Sequence, residues 1–197
     1  MDTKPIIEEA LKVLKAGGIL LYPTDTIWGI GCDATDPDAV AKVYALKHRA
    51  ESKSLVLLAS DMDMVARYVK VIPNIAIDLV EVNDKPMTLI YPDAITSDRP
   101  DRHYIAHNAV AADGSVGIRI PMMDFCRELI RRFGRPVVST SANLSGEPAP
   151  QEFADIPQSL RDAVDYIVDP RLERESTGLP SQIIKVGVDG QVQIIRA

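Results

Sequence analysis

The sequence predicts an α/β fold, a single domain over residues 1–197 built on a twisted mixed sheet flanked by helices. Short apolar runs of strand length alternate along the chain with segments whose apolar residues recur at helical spacing. Several of the strand-like runs follow one another too closely to be joined by crossover helices, so some neighbours must be antiparallel. With 197 residues, 46% of them hydrophobic and 25% charged, the chain has the composition of a globular protein with one substantial core. No internal repeat, low-complexity tract or linker divides it.

Taken in order, Pro5 to Ala16 is the first predicted helix. Ile6, Ile7, Ala10, Leu11 and Leu14 form its apolar stripe, Pro5 suits the first turn, and Gly17-Gly18 ends it. Ile19 to Tyr22 is a buried strand that stops at Pro23 and opens into Thr24, Asp25 and Thr26. A second apolar run follows, broken by Gly29 and Gly31. Pro-Thr-Asp-Thr serves equally as a tight turn or as the wall of a pocket at a strand end. Asp36 caps a helix running to about His48, whose last turn carries Lys47, followed by Arg49. Cations there either complement the helix C-terminus or leave it for a shared cleft.

Ser54 to Ala59 is strand-like, Asp61 to Val69 and Pro73 to Val82 are short helices, and Met87 to Tyr91 is a strand. Pro92 to Asp113 is a long loop. Ser115 to Ile120 alternates as a half-buried strand, within which Arg119 needs a partner, either a protein carboxylate or an anionic ligand. A helix over Met122 to Phe133 ends at Gly134, and Pro136 to Val138 is a buried strand. It leads into Ser139-Thr140-Ser141-Ala142-Asn143, which reads as a donor-rich loop suited to phosphates or as a plain Ser/Thr turn. A helix near Ser159 to Val164, a strand at Tyr166 to Val168, a mobile loop at Arg171 to Gly178 and strands at Gln182 to Val186 and Val192 to Ile195 complete the chain.

The net charge of −6 weighs against a surface that coats nucleic acid, although a local basic cleft would be invisible in the sum. The N-terminus has no secretory signal pattern and no apolar run reaches membrane-spanning length, so the expected setting is cytoplasmic with no membrane partner. Cys32 and Cys126 lack a Cys-x-x-Cys spacing and are expected as free thiols. His103 and His107 stand four apart in a loop-like segment, so no protein-held metal is expected.

Four elements then coincide: Pro-Thr-Asp-Thr-x-x-Gly at Pro23 to Gly29, Lys-x-Arg at Lys47 and Arg49, Gly-Ile-Arg-Ile-Pro at Gly117 to Pro121, and Ser-x-Asn at Ser141 and Asn143. In that order they resemble the YrdC-like family of threonylcarbamoyl-AMP synthases, over nearly the whole chain. The resemblance implies a twisted sheet enclosing a deep basic cleft, and a nucleotidyltransferase joining L-threonine, bicarbonate (or carbon dioxide) and ATP. The products would be threonylcarbamoyl-AMP and pyrophosphate, with Mg2+ accompanying ATP. Downstream transfer proteins would use the intermediate to modify adenosine in tRNA.

By the same resemblance Lys47 and Arg49 are the catalytic cations, and they bind ATP together with Lys53, Ser115, Ser141, Asn143 and Arg196. Thr26, Arg119, Ser139 and Ser181 fall at threonine-site positions. This chain differs from the family pattern at Ala50, where Pro is usual, and at Lys53-Ser54, where Asn-Pro is typical. It differs again at Leu58, where His is common, and at Trp28, where Tyr is more frequent. It ends at Ala197, which implies no counterpart of the C-terminal domain of longer members. The alternative is a paralogue of the same fold that binds double-stranded RNA or tRNA with little synthase activity. A third reading is a related carbamoyl-adenylate enzyme taking a different amine or carbamoyl donor. Asp25 receives no role from the resemblance.

Overall fold

The computed structural model describes residues 1–48, 55–96 and 103–197. Helix α1 spans Lys4–Lys15 and buries Ile7, Ala10 and Leu14, the inner half of the predicted stripe. β1 (Leu20–Tyr22) and β2 (Gly29–Gly31) form a fully buried antiparallel pair in which Leu20 faces Gly31 and Tyr22 faces Gly29. α2 (Pro37–Leu46) starts where the Asp36 carboxylate accepts from the Asp38 and Ala39 amides at 2.9 and 3.2 Å. It stops before His48, whose φ of 51° is not helical. Next come β3 (Val56–Leu58), α3 (Met62–Tyr68), α4 (Asn74–Val82), β4 (Met87–Tyr91) and β5 (Val116–Arg119). α5 (Asp124–Phe133) is closed by left-handed Gly134, whose amide donates to the Ile130 carbonyl. β6 (Val137–Ser141), α6 (Gln158–Ala163), β7 (Tyr166–Ile167), β8 (Gln182–Val186) and β9 (Val192–Arg196) complete the described elements.

The strands form one nine-stranded sheet in the order β7-β1-β2-β6-β3-β5-β4-β8-β9. The pairs β1/β7, β3/β5 and β4/β8 are parallel and the other neighbours antiparallel, so the sheet is mixed as the sequence predicts. Because side chains alternate across a strand, Leu57, Leu89, Ile118 and Val138 enter the main core. Val56, Thr88, Gly117, Arg119, Ser139 and Ser141 line a cleft instead. No helix among the described residues is long and apolar enough to cross a membrane.

Two expectations are corrected. The Ser139–Ser141 run is not a loop but the second half of β6, paired to Gly29 and Ile30 of β2. Ser139 and Ser141 face a cleft rather than the core, and with Thr140 between them they mimic a turn. The segment read as a mobile loop contains a 3-10 helix at Pro170–Glu175, which Asp169 caps by accepting the Arg171 amide. The residues after it are tied to the core by hydrogen bonds described below.

Gly31 is required by close approach rather than by its dihedral angles. A Cβ there would sit 2.6 Å from Tyr22 Cε1 and closer still to the Val138 carbonyl oxygen, to which the Tyr22 hydroxyl donates at 3.0 Å. Gly31→Ala must displace a fully buried ring and is expected to destabilise by about 1–3 kcal/mol. That loss should be read as a lower melting temperature by circular dichroism.

Candidate active site

Thr24, Asp25 and Thr26 leave β1 as it stops at Pro23, and all three side chains are buried. The Thr24 and Thr26 hydroxyls share a hydrogen bond of 2.8 Å, and Thr24 donates to the Ile27 carbonyl at 2.8 Å. The main chain of this strip is pinned from outside: Ser176 Oγ donates to the Thr24 carbonyl, and the Thr177 and Gly178 amides donate to Asp25 and Thr26 at 3.0 and 2.8 Å. Those three bonds turn the supposed mobile loop into a fixed edge of the cleft. They also set the start of the segment that carries Pro180 and Ser181 into it.

Arg119 reaches the cleft from β5 with its side chain 4% exposed. The partner its burial demands is Asp25, whose Oδ1 accepts from Nη1, while Thr24 Oγ1 accepts from Nη2 at 3.2 Å. Asp25 Oδ2 accepts the Met122 amide at 3.1 Å. From β9, Arg196 Nε and Nη2 donate to the Ser181 carbonyl at 2.9 and 2.7 Å. Burial pulls its guanidinium below the ordinary arginine pKa. Ser181 Oγ lies 2.8 Å from Thr88 Oγ1 across β4 and β8. The Ser115 hydroxyl donates to Asp113, and this bond, with that from Lys185, holds the Asp113 carboxyl well below the usual range.

These groups enclose about 430 Å³, the size of a small-ligand site. Of the predicted site residues, Thr26, Arg119, Ser139 and Ser181 line it from the proposed threonine set, and Ser115, Ser141 and Arg196 from the nucleotide set. Among the described lining residues the charged ones, Arg119 and Arg196, are both cationic.

Lys47 requires a correction. It was expected to project into the cleft, yet it is 1% exposed and not a lining residue. Its Nζ donates to the Ser141 and Asn143 carbonyls, the latter at 2.6 Å, tying the end of α2 to the chain leaving β6. The main chain repeats the tie, the Ser145 amide donating to the Lys47 carbonyl at 3.0 Å. Asn143 is also buried. Its Nδ2 donates to the Leu144 and Glu147 carbonyls at 3.0 and 2.6 Å, and its Oδ1 has no hydrogen-bond partner among the described residues. Arg49 and Lys53 lie outside the described residues. Among the described residues no group of three or more His, Cys, Asp or Glu side chains could hold a metal ion.

Sequence reasoning offered Thr24 only within the strip Pro23 to Thr26 read as turn or pocket wall, missed Thr88 as a lining residue, and gave Trp28 no structural part. Thr88 had a signal: a threonine among the apolar residues of a buried strand, Met-Thr-Leu-Ile, must meet a polar partner. Trp28 Nε1 donates to Glu173 Oε2 at 2.7 Å, and that oxygen also accepts the Phe153 amide at 2.8 Å. The Phe153 ring packs 5.1 Å from the indole. This wall is assembled from residues far apart in sequence, which no local pattern displays.

Residues 12–197 match the family model Sua5/YciO/YrdC, described as "Telomere recombination". The chain belongs to the Sua5/YciO/YrdC family. It is 32% identical over 179 residues to the threonylcarbamoyl-AMP synthase of Idiomarina loihiensis, covering 90% of this chain and 88% of that protein. It is 34% identical over 164 residues to the enzyme of the same name from Chromohalobacter salexigens, covering 83% and 84%. Among solved structures, P. abyssi Sua5 complexed with L-threonine superposes with a TM-score of 0.82 at 24% identity, over 94% of this chain and 52% of that one. E. coli YciO gives 0.78 at 23% identity, over 98% and 89%. The chain thus spans about half of the Sua5 chain and most of YciO, and both structures share its fold.

Proposed function

We propose that this member of the Sua5/YciO/YrdC family is a threonylcarbamoyl-AMP synthase. It would use L-threonine, bicarbonate or carbon dioxide, and ATP accompanied by Mg2+, and act in the cytoplasm to supply tRNA modification. The observation that carries the reading is the cleft itself. One volume is lined by two arginines, the buried Arg119 and Arg196 held on the Ser181 carbonyl, with hydroxyls from several strands and no acidic side chain among its described lining residues. Such a volume suits an amino acid and a nucleotide, both anionic, held side by side.

In this reading Arg119 takes the threonine carboxylate, with Thr26, Ser139 and Ser181 nearby. The threonine amine adds carbon dioxide and loses a proton to become a carbamate. A carbamate oxygen attacks the α-phosphorus of ATP, the bond to the bridging oxygen breaks, and pyrophosphate leaves. The chain's part is to align the reactants and neutralise phosphate charge, which is where most of the acceleration in such transfers arises. Arg196, Ser115 and Ser141, which line the cleft, would serve this; by the family resemblance Arg49 and Lys53 would add to it. Lys47 and Asn143 act by shaping the end of β6.

The test is pyrophosphate release by the purified chain. Release should require threonine, bicarbonate, ATP and Mg2+ together, and omitting any one should return it to background. Release without threonine, or none from a folded sample, overturns the reading. Strongly salt-dependent binding of duplex RNA or tRNA without turnover would favour the RNA-binding alternative instead.

A further inference from the structure

We propose that Asp25 is a positioning residue. It holds the Arg119 guanidinium in the orientation that presents it to a substrate carboxylate, and takes no part in proton transfer. The proposal rests on the reading of Arg119 as the carboxylate receptor.

Arg119 lines the cleft; Asp25, directly behind it, does not, and is 5% exposed. Both Asp25 oxygens are committed to donors on the buried side, Oδ1 to Arg119 Nη1 and Oδ2 to the Met122 amide at 3.1 Å. A carboxylate so placed is badly sited to collect a proton from an amine in the cleft, because a general base must reach that proton directly or through one water. It is well sited to set the plane of a guanidinium. Arginine carries five N–H donors in a rigid fork, so fixing one at Asp25 and one at Thr24 Oγ1 fixes the direction of the rest. Thr24 is itself determined, since its own proton goes to the Ile27 carbonyl and its lone pairs are left for donors.

The anchor is also rigid. The Asp25 carbonyl accepts the Thr177 amide at 3.0 Å, and the carbonyls on either side are held by Ser176 Oγ and the Gly178 amide. Arg119 has a long side chain with several rotatable bonds. Without the carboxylate it would keep its charge but lose the contact that selects one rotamer.

Asp25→Asn preserves shape while placing an amide N–H₂ against either Arg119 or the Met122 amide, both donors. Steady-state pyrophosphate release should show a threonine KM raised about tenfold or more, with the KM for ATP changed less than about twofold. The pH profile of kcat should keep its shape. In an Arg119→Met background the same Asp25→Asn change should alter the threonine KM by less than about twofold, since a residue acting through another has no further effect once that other is gone. This second comparison also serves if Asp25→Asn alone does not fold, because the double variant buries neither charge of the pair.

The proposal is overturned if Asp25→Asn raises the threonine KM equally in both backgrounds, which would mean direct contact with substrate. It is likewise overturned if the variant removes a limb of the pH profile, or if it lowers only the fraction of active protein. If Arg119→Met alone leaves the threonine KM unchanged, the reading of Arg119 fails first. That result is distinguishable because it appears before Asp25 is altered.

Discussion

A Lys47→Met protein is expected to melt roughly 5–15 °C below the parent, from a loss of about 2–5 kcal/mol spread over a transition of this size. It should also release pyrophosphate at less than about a hundredth of the parent rate. The methionine chain fills the lysine stem's volume, so packing is largely kept. What disappears is the ammonium that donates to the carbonyls of Ser141 and Asn143. The Ser141 carbonyl still accepts the Asn143 amide at 2.9 Å, but the Asn143 carbonyl loses the ammonium at a site where Lys47 is almost wholly excluded from water. A buried carbonyl left unsatisfied costs about 1–3 kcal/mol, and losing the charged donor to the Ser141 carbonyl adds to it. The activity loss follows because Ser141 lines the cleft and its position is set by that tie. Thermal denaturation by circular dichroism, alongside the pyrophosphate assay, separates this from a purely electrostatic role. A Lys47→Met protein with the parent melting temperature and only a raised KM for ATP would place the ammonium on the nucleotide instead.

The same lysine shows why part of the site was illegible in the sequence. A lysine at a helix end is ordinarily solvated, and nothing in Leu-Lys-His-Arg indicates that the carbonyls of residues 141 and 143 will close over it. The helices, by contrast, were legible. Their stripes at Ile7, Ala10 and Leu14, or Val40 and Val43, are buried as the period requires, and the caps at Asp36 and Gly134 stand where residue chemistry puts them. Legibility failed where a segment serves the cleft rather than the core. β6 carries Ser139 and Ser141 because the face they share looks into the cleft, and with Thr140 between them the run imitates a turn. The 3-10 helix at Pro170–Glu175 was hidden for a different reason. The bonds that fix its far end run to Thr24, Asp25 and Thr26, about 150 residues away, and main-chain partners leave no trace in side-chain pattern. Asp25 sits at the meeting of both effects. It was visible as an acid in the opening strip, but its partner could be found only once the folded sheet brings the end of β5 to the strip that follows β1.

Arg119 gives the second large effect, and two substitutions there should come apart. Arg119→Met leaves the Asp25 carboxylate buried with the Met122 amide as its remaining described donor. Removing one member of a buried ion pair in this way costs about 3–5 kcal/mol. The variant should therefore melt well below the parent and bind threonine about a hundredfold or more weakly. Arg119→Lys keeps a cation near Asp25 and should recover most of the stability. An ammonium is a point donor without the planar fork, so it cannot hold Asp25 and Thr24 while facing a carboxylate in the cleft. Its affinity for threonine should remain at least about tenfold below the parent's. Calorimetric titration with threonine, read beside the melting curves, checks both expectations. If the lysine variant bound threonine as the parent does, charge alone would suffice at this position. The geometry imposed by Asp25 and Thr24 would then have no bearing on substrate. If instead stability returns while affinity does not, the fork set by those two residues is what the cleft offers the amino acid.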